Sequence, residues 1–486
     1  MSSIKTRAAR NVTYIGASHI IAMLLTILTV AVLARILTPE DFGIVSIGMI
    51  FMTLFTTIQD FGVLQAIIQR GTRVEESISV GLSIRWIIAT ILAVIVVGFS
   101  GVIADFYGNP AIALVVIVMT LNIFIQPIAF SSLVLLTRKL KFSQIAIASV
   151  MQYVAQAVVS IALAFMGFSY WSMVIGTLSS SISFVLVMRF YENTAFRPKI
   201  EAKLAKELMG FGAHLLVVGL MAFVIFNIDQ LVIGKVLGVI VLGYYFMAVK
   251  FGRTLGEQIS NTVNKVLYPT MARIKDSIEQ LKTAYIQSLR MIAIMAVPIC
   301  LGVSALSPLL VPVILGDGWD AAAAPIAILS FQGLLQALIP PAAAVLMSIG
   351  KPKYMSIVAT VQAAIMVAAV YPAAVLWGAN GVCVLTTLLS LGVMIYFLVI
   401  FSRIFRVAFF GMFRPLVPAL ASGFVTYLLL FLSVSVVASS LFWLVALSAA
   451  GAGVYFACLH AFSGGKDVRD LVALVRGVIS RKNSPL

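Results

Sequence analysis

Apolar residues fill long, uninterrupted stretches of this chain, and short polar segments separate one stretch from the next. A helix needs about 20 mainly apolar residues to cross the hydrocarbon core of a bilayer, and each stretch is long enough. The stretches do not alternate between polar and apolar residues, which argues against a transmembrane β-barrel. The pattern predicts an all-α polytopic membrane protein of about fourteen transmembrane helices, α1 to α14, at residues 11–35, 43–68, 79–103, 111–136, 144–166, 170–189, 211–233, 240–263, 289–315, 322–348, 355–377, 380–402, 413–434 and 439–461.

The basic residues indicate the orientation of these helices. If the N-terminus is cytoplasmic, 28 of the 33 lysines and arginines fall on inward segments, and only Arg35 and Lys235 fall on outward helix ends. Cytoplasmic loops are enriched in Lys and Arg, so this orientation is favoured, and an even number of helices puts both termini in the cytoplasm. Four tryptophans near outward helix ends are typical of an interfacial aromatic belt: Trp171, Trp319, Trp377 and Trp443.

The composition changes which functions are open to the chain. Of its 486 residues 62% are hydrophobic and 10% are charged, which leaves too few polar side chains for a large soluble catalytic domain. The net charge of +16 is explained by the orientation and by attraction to anionic lipids, without nucleic-acid binding. The sequence has no HExxH motif, no paired-cysteine motif and no Walker lysine. We therefore expect no enzyme activity, no metal site and no cofactor.

Two segments 200 residues apart resemble each other, which indicates an internal repeat. Residues 34–43 align with residues 234–243, and the identical pairs include Leu37 with Leu237 and Gly43 with Gly243. Both segments join the first and second helix of a six-helix unit. Parallel six-helix halves around a central cavity are typical of transporters, with the substrate bound where the halves meet. The predicted organisation is an N-terminal half at 1–190, a cytoplasmic linker at 191–210, a C-terminal half at 211–403, two additional helices at 404–462 and a cytoplasmic tail at 463–486.

Several motifs resemble those of a known family, the Wzx-type polysaccharide flippases of the polysaccharide transporter branch of the multidrug/oligosaccharidyl-lipid/polysaccharide exporter superfamily. The most specific is the run Leu33-Ala-Arg-Ile-Leu-Thr-Pro-Glu-Asp-Phe-Gly43. It is followed by further matching segments: Asp60-Phe-Gly62, Ile68-Gln-Arg70, Arg138-Lys-Leu-Lys-Phe142, Asp229-Gln-Leu-Val-Ile-Gly234, Gly243-Tyr-Tyr245 and Leu315-Gly-Asp-Gly-Trp319, where Leu315 replaces the family's Phe.

The resemblance implies a fourteen-helix flippase of the bacterial inner membrane. It implies that the protein moves undecaprenyl-diphosphate-linked oligosaccharide units outward by alternating access, for assembly of exopolysaccharide, capsule or O-antigen. The expected partners are this lipid-linked oligosaccharide, the membrane lipids, and the machinery that polymerises or exports the polysaccharide.

Helix α8 contains the most unusual polar pattern. Lys250, Arg253, Glu257, Asn261 and Asn264 are spaced by three or four residues, so they share one face of an α-helix. A lysine or arginine at the bilayer centre costs about 2.5–3.5 kcal/mol on insertion scales and is expected to face water or a partner. The pattern predicts a cationic strip that binds a diphosphate. The alternative is an Arg253–Glu257 pair within the helix, with Lys250 extending along a groove.

Three further charged residues lie inside predicted helices. Arg85 in α3 either extends the cationic strip or anchors the helix at the interface. Asp60 in α2 and Asp229 in α7 either bind a coupling proton or cation or pair with a basic residue, and for Asp229 the nearest bases in sequence are Arg35 and Lys235.

Two other functions fit a polytopic protein. A cation-coupled drug exporter of the same superfamily would have a smaller and more acidic or aromatic cavity, whereas the basic residues of α8 favour an anionic cargo. A membrane glycan polymerase or ligase would need a sizeable outward loop for its acceptor, and the predicted outward loops are mostly shorter than about ten residues.

Overall fold

The computed structural model describes residues 2–69, 72–194, 196–260, 271, 273, 274, 276–464 and 469, and within them every regular element is helical. The helix numbers α1 to α14 are kept for the segments that correspond to the predictions. These are α1 Ser2–Ala34, α2 Pro39–Asp60 with the short helix Val63–Gln69, α3 Val74–Tyr107, α4 Ala111–Thr120 with Asn122–Arg138, α5 Phe142–Phe165, α6 Trp171–Tyr191, α7 Ala202–Val236, α8 from Val239–Ala248 to residue 260, α9 Ile278–Leu310, α10 Ala323–Leu338 with Pro340–Ser348, α11 and α12 within Lys353–Phe405, α13 Val417–Val434 and α14 Leu441–Ser463.

Eleven helices of the described residues are long and apolar enough to cross a membrane. The predicted all-helical membrane fold is thus confirmed, but the count of fourteen spans is not. One of the eleven, Lys353–Phe405, contains Gly378 with a non-helical backbone (φ 63°, ψ −155°) and is two helices joined at a kink. In the part of α1 whose side chains the structure describes, Ser18–Ala34 is a shorter apolar helix, and α8 is described as far as residue 260.

Proline accounts for two further interruptions. Helix α10 is interrupted at Ile339, before Pro340 and Pro341, because a proline lacks the N–H that continues the helical ladder. Helix α9 contains Pro298 and Pro308 and then ends in a π-helical turn, Val311–Leu315. Such irregular backbone is tolerated within a membrane protein where neighbouring groups or water satisfy the freed polar atoms.

The family-like run before α2 has a structural explanation. Thr38 caps the helix: its side chain accepts a hydrogen bond from the Asp41 amide, while its own amide and hydroxyl donate to Asp41 Oδ2 at 2.8 and 2.7 Å. This reciprocal arrangement is a capping box. The second oxygen of Asp41 accepts hydrogen bonds from the Ser169 hydroxyl and from the Tyr170 amide, so the same carboxylate also fixes the loop between α5 and α6.

The chain forms two compact units. Unit 1 comprises residues 1–246 and 363–379, and unit 2 comprises residues 247–362 and 380–486. In unit 1, apolar side chains around Val63, Ile78 and Phe130 form a core cluster, and in unit 2 a larger cluster surrounds Tyr285 and Phe401. A division into compact units does not test internal symmetry, so the predicted halves at 1–190 and 211–403 stay a prediction.

The tryptophans do not all lie where an aromatic belt would put them. Trp377 and Trp443 are 69% and 39% exposed, as expected for side chains at the edge of a membrane, but Trp319 is 1% exposed. The turn before it bends at Gly316 and Gly318, both with positive φ, and this bend places the indole in the interior of unit 2. The expectation that Trp319 belongs to the belt is therefore wrong.

Candidate functional site

The middle of α8 is not α-helical. Residues Val249–Arg253 form a π-helical turn, in which the amide and the hydroxyl of Thr254 both donate to the Val249 carbonyl, five residues earlier. The prediction of a continuous α-helix through the strip is thus wrong at this turn, because the extra residue alters the angle between Lys250 and Arg253. We call Val249–Arg253 the cationic turn. Turns of this kind within α-helices are rare and occur frequently at functional sites.

The charged groups of this turn lie close to one another. Arg253 has a side chain only 6% exposed, and its Nε lies 3.6 Å from Glu257 Oε1, whose side chain is 30% exposed. Lys250 is partly exposed. The Arg253–Glu257 pair, which was predicted as the alternative to a diphosphate-binding strip, is therefore present. Lys250, in the same turn as Arg253, is a second cation. The predicted neighbours Asn261 and Asn264 lie outside the described residues.

Glycines bring the backbone of α8 against that of α10 next to the cationic turn. A Cβ atom on Gly256 would lie 2.0 Å from the Gly333 carbonyl oxygen, and one on Gly333 would lie 2.7 Å from the Gly252 oxygen and 3.0 Å from the Arg253 oxygen. No side chain fits at these distances, so glycine is required at positions 256 and 333 for this approach. Close packing through small residues is typical of helix pairs in membranes.

A second pair of glycine contacts holds the first half of α8, in unit 1. A Cβ on Gly243 would lie 1.9 Å from the Pro39 oxygen, and a Cβ on Gly43 would lie 1.9 Å from the Val239 oxygen. Gly43 thus contacts Val239, and Gly243 contacts Pro39. Positions 39 and 239 are 200 residues apart, as positions 43 and 243 are. Reciprocal contact is the mark of two segments related by a twofold axis. The equivalence of Gly43 and Gly243 within a repeat stays a prediction.

Arg85 and Asp60 form an ion pair in unit 1. Arg85 Nη1 lies 2.7 Å from Asp60 Oδ1, the arginine side chain is 7% exposed and the aspartate 40% exposed. The guanidinium also lies over the ring of Phe130, 4.9 Å from its centre, and the Gln59 side chain donates to the backbone oxygens of Arg85 and Ile123. This pairing was not predicted, because the two residues are 25 positions apart on different helices and nothing in their spacing joins them.

Asp229 is fully buried in α7. Its carboxylate accepts hydrogen bonds from the Tyr245 hydroxyl at 2.7 Å and from the Gln230 amide at 2.9 Å. Lys235, one of the two bases considered as its partner, instead donates to the Phe106 carbonyl at 2.6 Å and lies over the Phe106 ring. Asp229 therefore joins α7 to α8, and its coupling role stays a prediction.

Outside the spanning helices, ion pairs hold the segment between α6 and α7. Lys139 pairs with Glu192, and this hydrogen bond, assisted by one from Thr194, lowers the pKa of the Glu192 carboxyl. Arg73 contacts both oxygens of Glu201 at 2.9 Å and also pairs with Glu76, and these bonds raise the pKa of Arg73. Pairs of this kind, in which the cation is nearly half exposed, contribute little stability singly.

Within the described residues no three His, Cys, Asp or Glu side chains converge where they could hold a metal ion. The arrangement instead offers fixed cations in a membrane helix, which suit the electrostatic binding of an anion. Together, the fold and the site define a multi-pass, all-helical membrane protein with cationic side chains on one of its helices.

Comparison with known proteins identifies the family. The model of the polysaccharide biosynthesis protein family matches residues 32–324, which is more than half of the chain, and the chain belongs to this family. The resemblance to Wzx-type polysaccharide flippases is thereby confirmed, and the protein is a transporter rather than an enzyme.

Individual relatives agree with this assignment. The chain is 24% identical over 354 residues to the lipopolysaccharide biosynthesis protein WzxC of Escherichia coli K12, covering 71% of each. It is 26% identical over 300 residues to the succinoglycan biosynthesis transport protein ExoT of Rhizobium meliloti, covering 61% of this chain and 60% of ExoT. The fold is similar to that of the lipid II flippase MurJ in an inward closed conformation, with a TM-score of 0.72, 14% identity, and coverage of 94% of this chain and 99% of MurJ.

Proposed function

We propose that this protein moves oligosaccharide units linked to undecaprenyl diphosphate from the cytoplasmic to the periplasmic leaflet of the bacterial inner membrane, for assembly of exopolysaccharide, capsule or O-antigen. Its family and its relatives support a polysaccharide transport role. An oligosaccharide head cannot cross about 30 Å of hydrocarbon unaided. The protein shields this head in a hydrated path and exposes it to each side of the membrane in turn, while the polyprenyl tail stays in the lipid.

The observation that supports a diphosphate cargo most strongly is the cationic turn. Lys250 and Arg253 lie within one π-helical turn of a membrane helix, and Glu257, one helical turn further along, pairs with Arg253. Arginine suits a phosphate because its planar fork donates two parallel hydrogen bonds, and lysine adds a mobile point charge. A diphosphate carries negative charge, which two cations within one turn of a membrane helix attract.

The remaining predictions belong to this proposal. Both termini are cytoplasmic, the cargo passes to periplasmic polymerisation or export machinery, and Asp229 or Asp60 takes up a coupling ion. Arg85 fixes the end of α2 through Asp60 and, in a state in which this pair is broken, binds the anionic cargo.

The lipid that accumulates in a strain lacking the gene tests the proposal. We expect an oligosaccharide linked to undecaprenyl diphosphate, identified by lipid extraction and mass spectrometry, with its sugar protected from an impermeant lectin in spheroplasts. The wild-type gene and Lys353→Gln, which removes an exposed cation at the start of α11, should both clear it. Accumulation on the periplasmic leaflet would contradict the proposal and favour a defect in polymerisation or ligation.

A further inference from the structure

The cationic turn is the least regular part of α8, and it needs support from outside the helix. An α-helix fixes each residue by hydrogen bonds of regular spacing, whereas a π-helical turn accommodates one additional residue with poorer geometry. In unit 2, that support comes from the backbone of α10. The glycines at 252 and 256 in α8 and Gly333 in α10 bring the two backbones into direct contact.

The contact reaches the functional residue itself. The position of a Cβ on Gly333 lies 3.0 Å from the Arg253 oxygen and 3.3 Å from the Arg253 Cα. These are backbone atoms, which cannot swing aside as the end of a side chain can. A methyl group at position 333 must therefore push the cationic turn away from α10 or push α10 away from the turn.

Helix α10 is held on another side. Gln332, beside Gly333, lies within hydrogen-bonding range of Thr386 and Ser390 of α12, and Gln336 donates to the Ser390 hydroxyl at 3.3 Å. Gln332, Thr386 and Ser390 are all buried. Because retreat of α10 would disturb this buried polar group, the displacement falls mainly on the cationic turn, whose backbone is the less regular of the two.

We infer that Gly333 is a positioning residue for cargo binding: by letting α10 approach the cationic turn, it fixes the places of Lys250 and Arg253. This inference rests on the proposed function, since it takes these two cations as the groups that bind a lipid-linked diphosphate. It predicts that a change at position 333, which bears no charge, alters recognition of an anionic headgroup.

The test measures the binding of farnesyl diphosphate, a soluble lipid diphosphate, to the purified full-length protein by calorimetry. We expect Gly333→Ala to raise the Kd about tenfold, the loss expected when one charge-assisted hydrogen bond is misaligned. Gly302→Ala and Gly392→Ala are matched controls in unit 2, because a Cβ at either position meets nothing within 4 Å, and their Kd should stay within about twofold of the wild-type value.

A double-mutant comparison separates positioning from general damage. In a Lys250→Gln, Arg253→Gln background, Gly333→Ala should cause no further loss of binding, because the groups that it positions are gone. A further loss there equal to that in the wild type would overturn the inference. Thermal unfolding of each variant shows whether it is folded, and Gly252→Ala, with a milder clash of 2.9 Å against the Ile326 oxygen, replaces Gly333→Ala if the latter does not fold.

The remaining outcomes distinguish the two proposals. If Lys250→Gln, Arg253→Gln binds farnesyl diphosphate as the wild type does, the cationic site is wrong, and the inference falls with it. If this neutral variant binds weakly while folded Gly333→Ala binds normally, the cationic site stands and Gly333 has only a packing role.

Discussion

Lys250 and Arg253 would bind a phosphate in different ways, so substitutions at the two positions should affect transport differently. Lys250 is partly exposed and acts as a point charge, so Lys250→Arg should retain more transport than Lys250→Gln. Arg253 is buried beside Glu257, and Arg253→Lys should lose roughly tenfold in transport if bidentate contact with phosphate is used. Glycan export in a complemented deletion strain measures both effects, after membrane levels have been matched. Normal export by both neutral variants, Lys250→Gln and Arg253→Gln, would assign these residues to structure alone.

The Arg85–Asp60 pair is expected to matter for stability. Asp60→Ala leaves the buried guanidinium without its carboxylate, and because Asp60 is 40% exposed, water offsets part of the loss, so we expect destabilisation of about 1–3 kcal/mol. The measurement is the thermal unfolding midpoint in detergent.

The double variant Asp60→Ala, Arg85→Met is the control for this prediction. It should recover part of the loss of stability, since it removes the buried charge as well. An unchanged midpoint for Asp60→Ala would show that the ion pair contributes nothing, whereas a folded variant that fails only in transport would favour the coupling role of Asp60.

At the scale of the helices, the family-like run is explained by the start of α2. One carboxylate oxygen of Asp41 accepts hydrogen bonds from Thr38, and the other accepts hydrogen bonds from the α5–α6 loop. Replacing it by alanine removes the capping box and leaves the donors of Thr38, Ser169 and Tyr170, which are exposed or partly buried, without this acceptor. We expect Asp41→Ala to lower the stability by about 2–4 kcal/mol.

Thermal unfolding in detergent measures this change as well. Glu40→Ala is the matched control, since Glu40 is exposed and accepts one hydrogen bond, from Asn109 at 3.1 Å. Equal unfolding midpoints for the two variants would contradict the structural role of Asp41. A loss of transport by stable Asp41→Ala would instead give the run a direct function.

The helices themselves were predictable from the sequence, but their irregular turns were not. Long apolar runs with polar breaks are enough to locate α2 to α7, because the bilayer sets the length that each helix requires. The π-helical turn at Val249–Arg253 changes the hydrogen bonding by one residue, which the spacing of Lys250 and Arg253 does not reveal. The position of Trp319 near a predicted helix end also did not reveal that its side chain is buried. Two glycines with positive φ, Gly316 and Gly318, turn the chain inward just before this residue. The sequence located the charges of the candidate site, while the backbone contacts through Gly256 and Gly333 required the structure.

At the scale of the whole molecule, the orientation in the membrane stays a prediction. The basic segments at 191–210 and before α9 should lie in the cytoplasm, and the turn at 316–319 should lie outside, because positively charged loops are retained inside. Single cysteines at Lys199 and at Asp317, in a chain whose three native cysteines are replaced, test this in intact cells with an impermeant thiol reagent. Labelling is expected at position 317 and not at 199. The reverse result would invert the topology.

The central claim is that the protein transports a lipid-linked oligosaccharide across the bilayer, and purified protein in vesicles tests it most directly. The measurement is the rate at which a polyprenyl-diphosphate-linked oligosaccharide becomes accessible to an impermeant glycosidase added outside the vesicles. The account predicts that the wild-type protein raises this rate well above that of protein-free vesicles, and that Lys250→Gln, Arg253→Gln abolishes most of the increase while Lys353→Gln preserves it. A folded, correctly reconstituted protein that leaves the rate at the protein-free level would contradict the account.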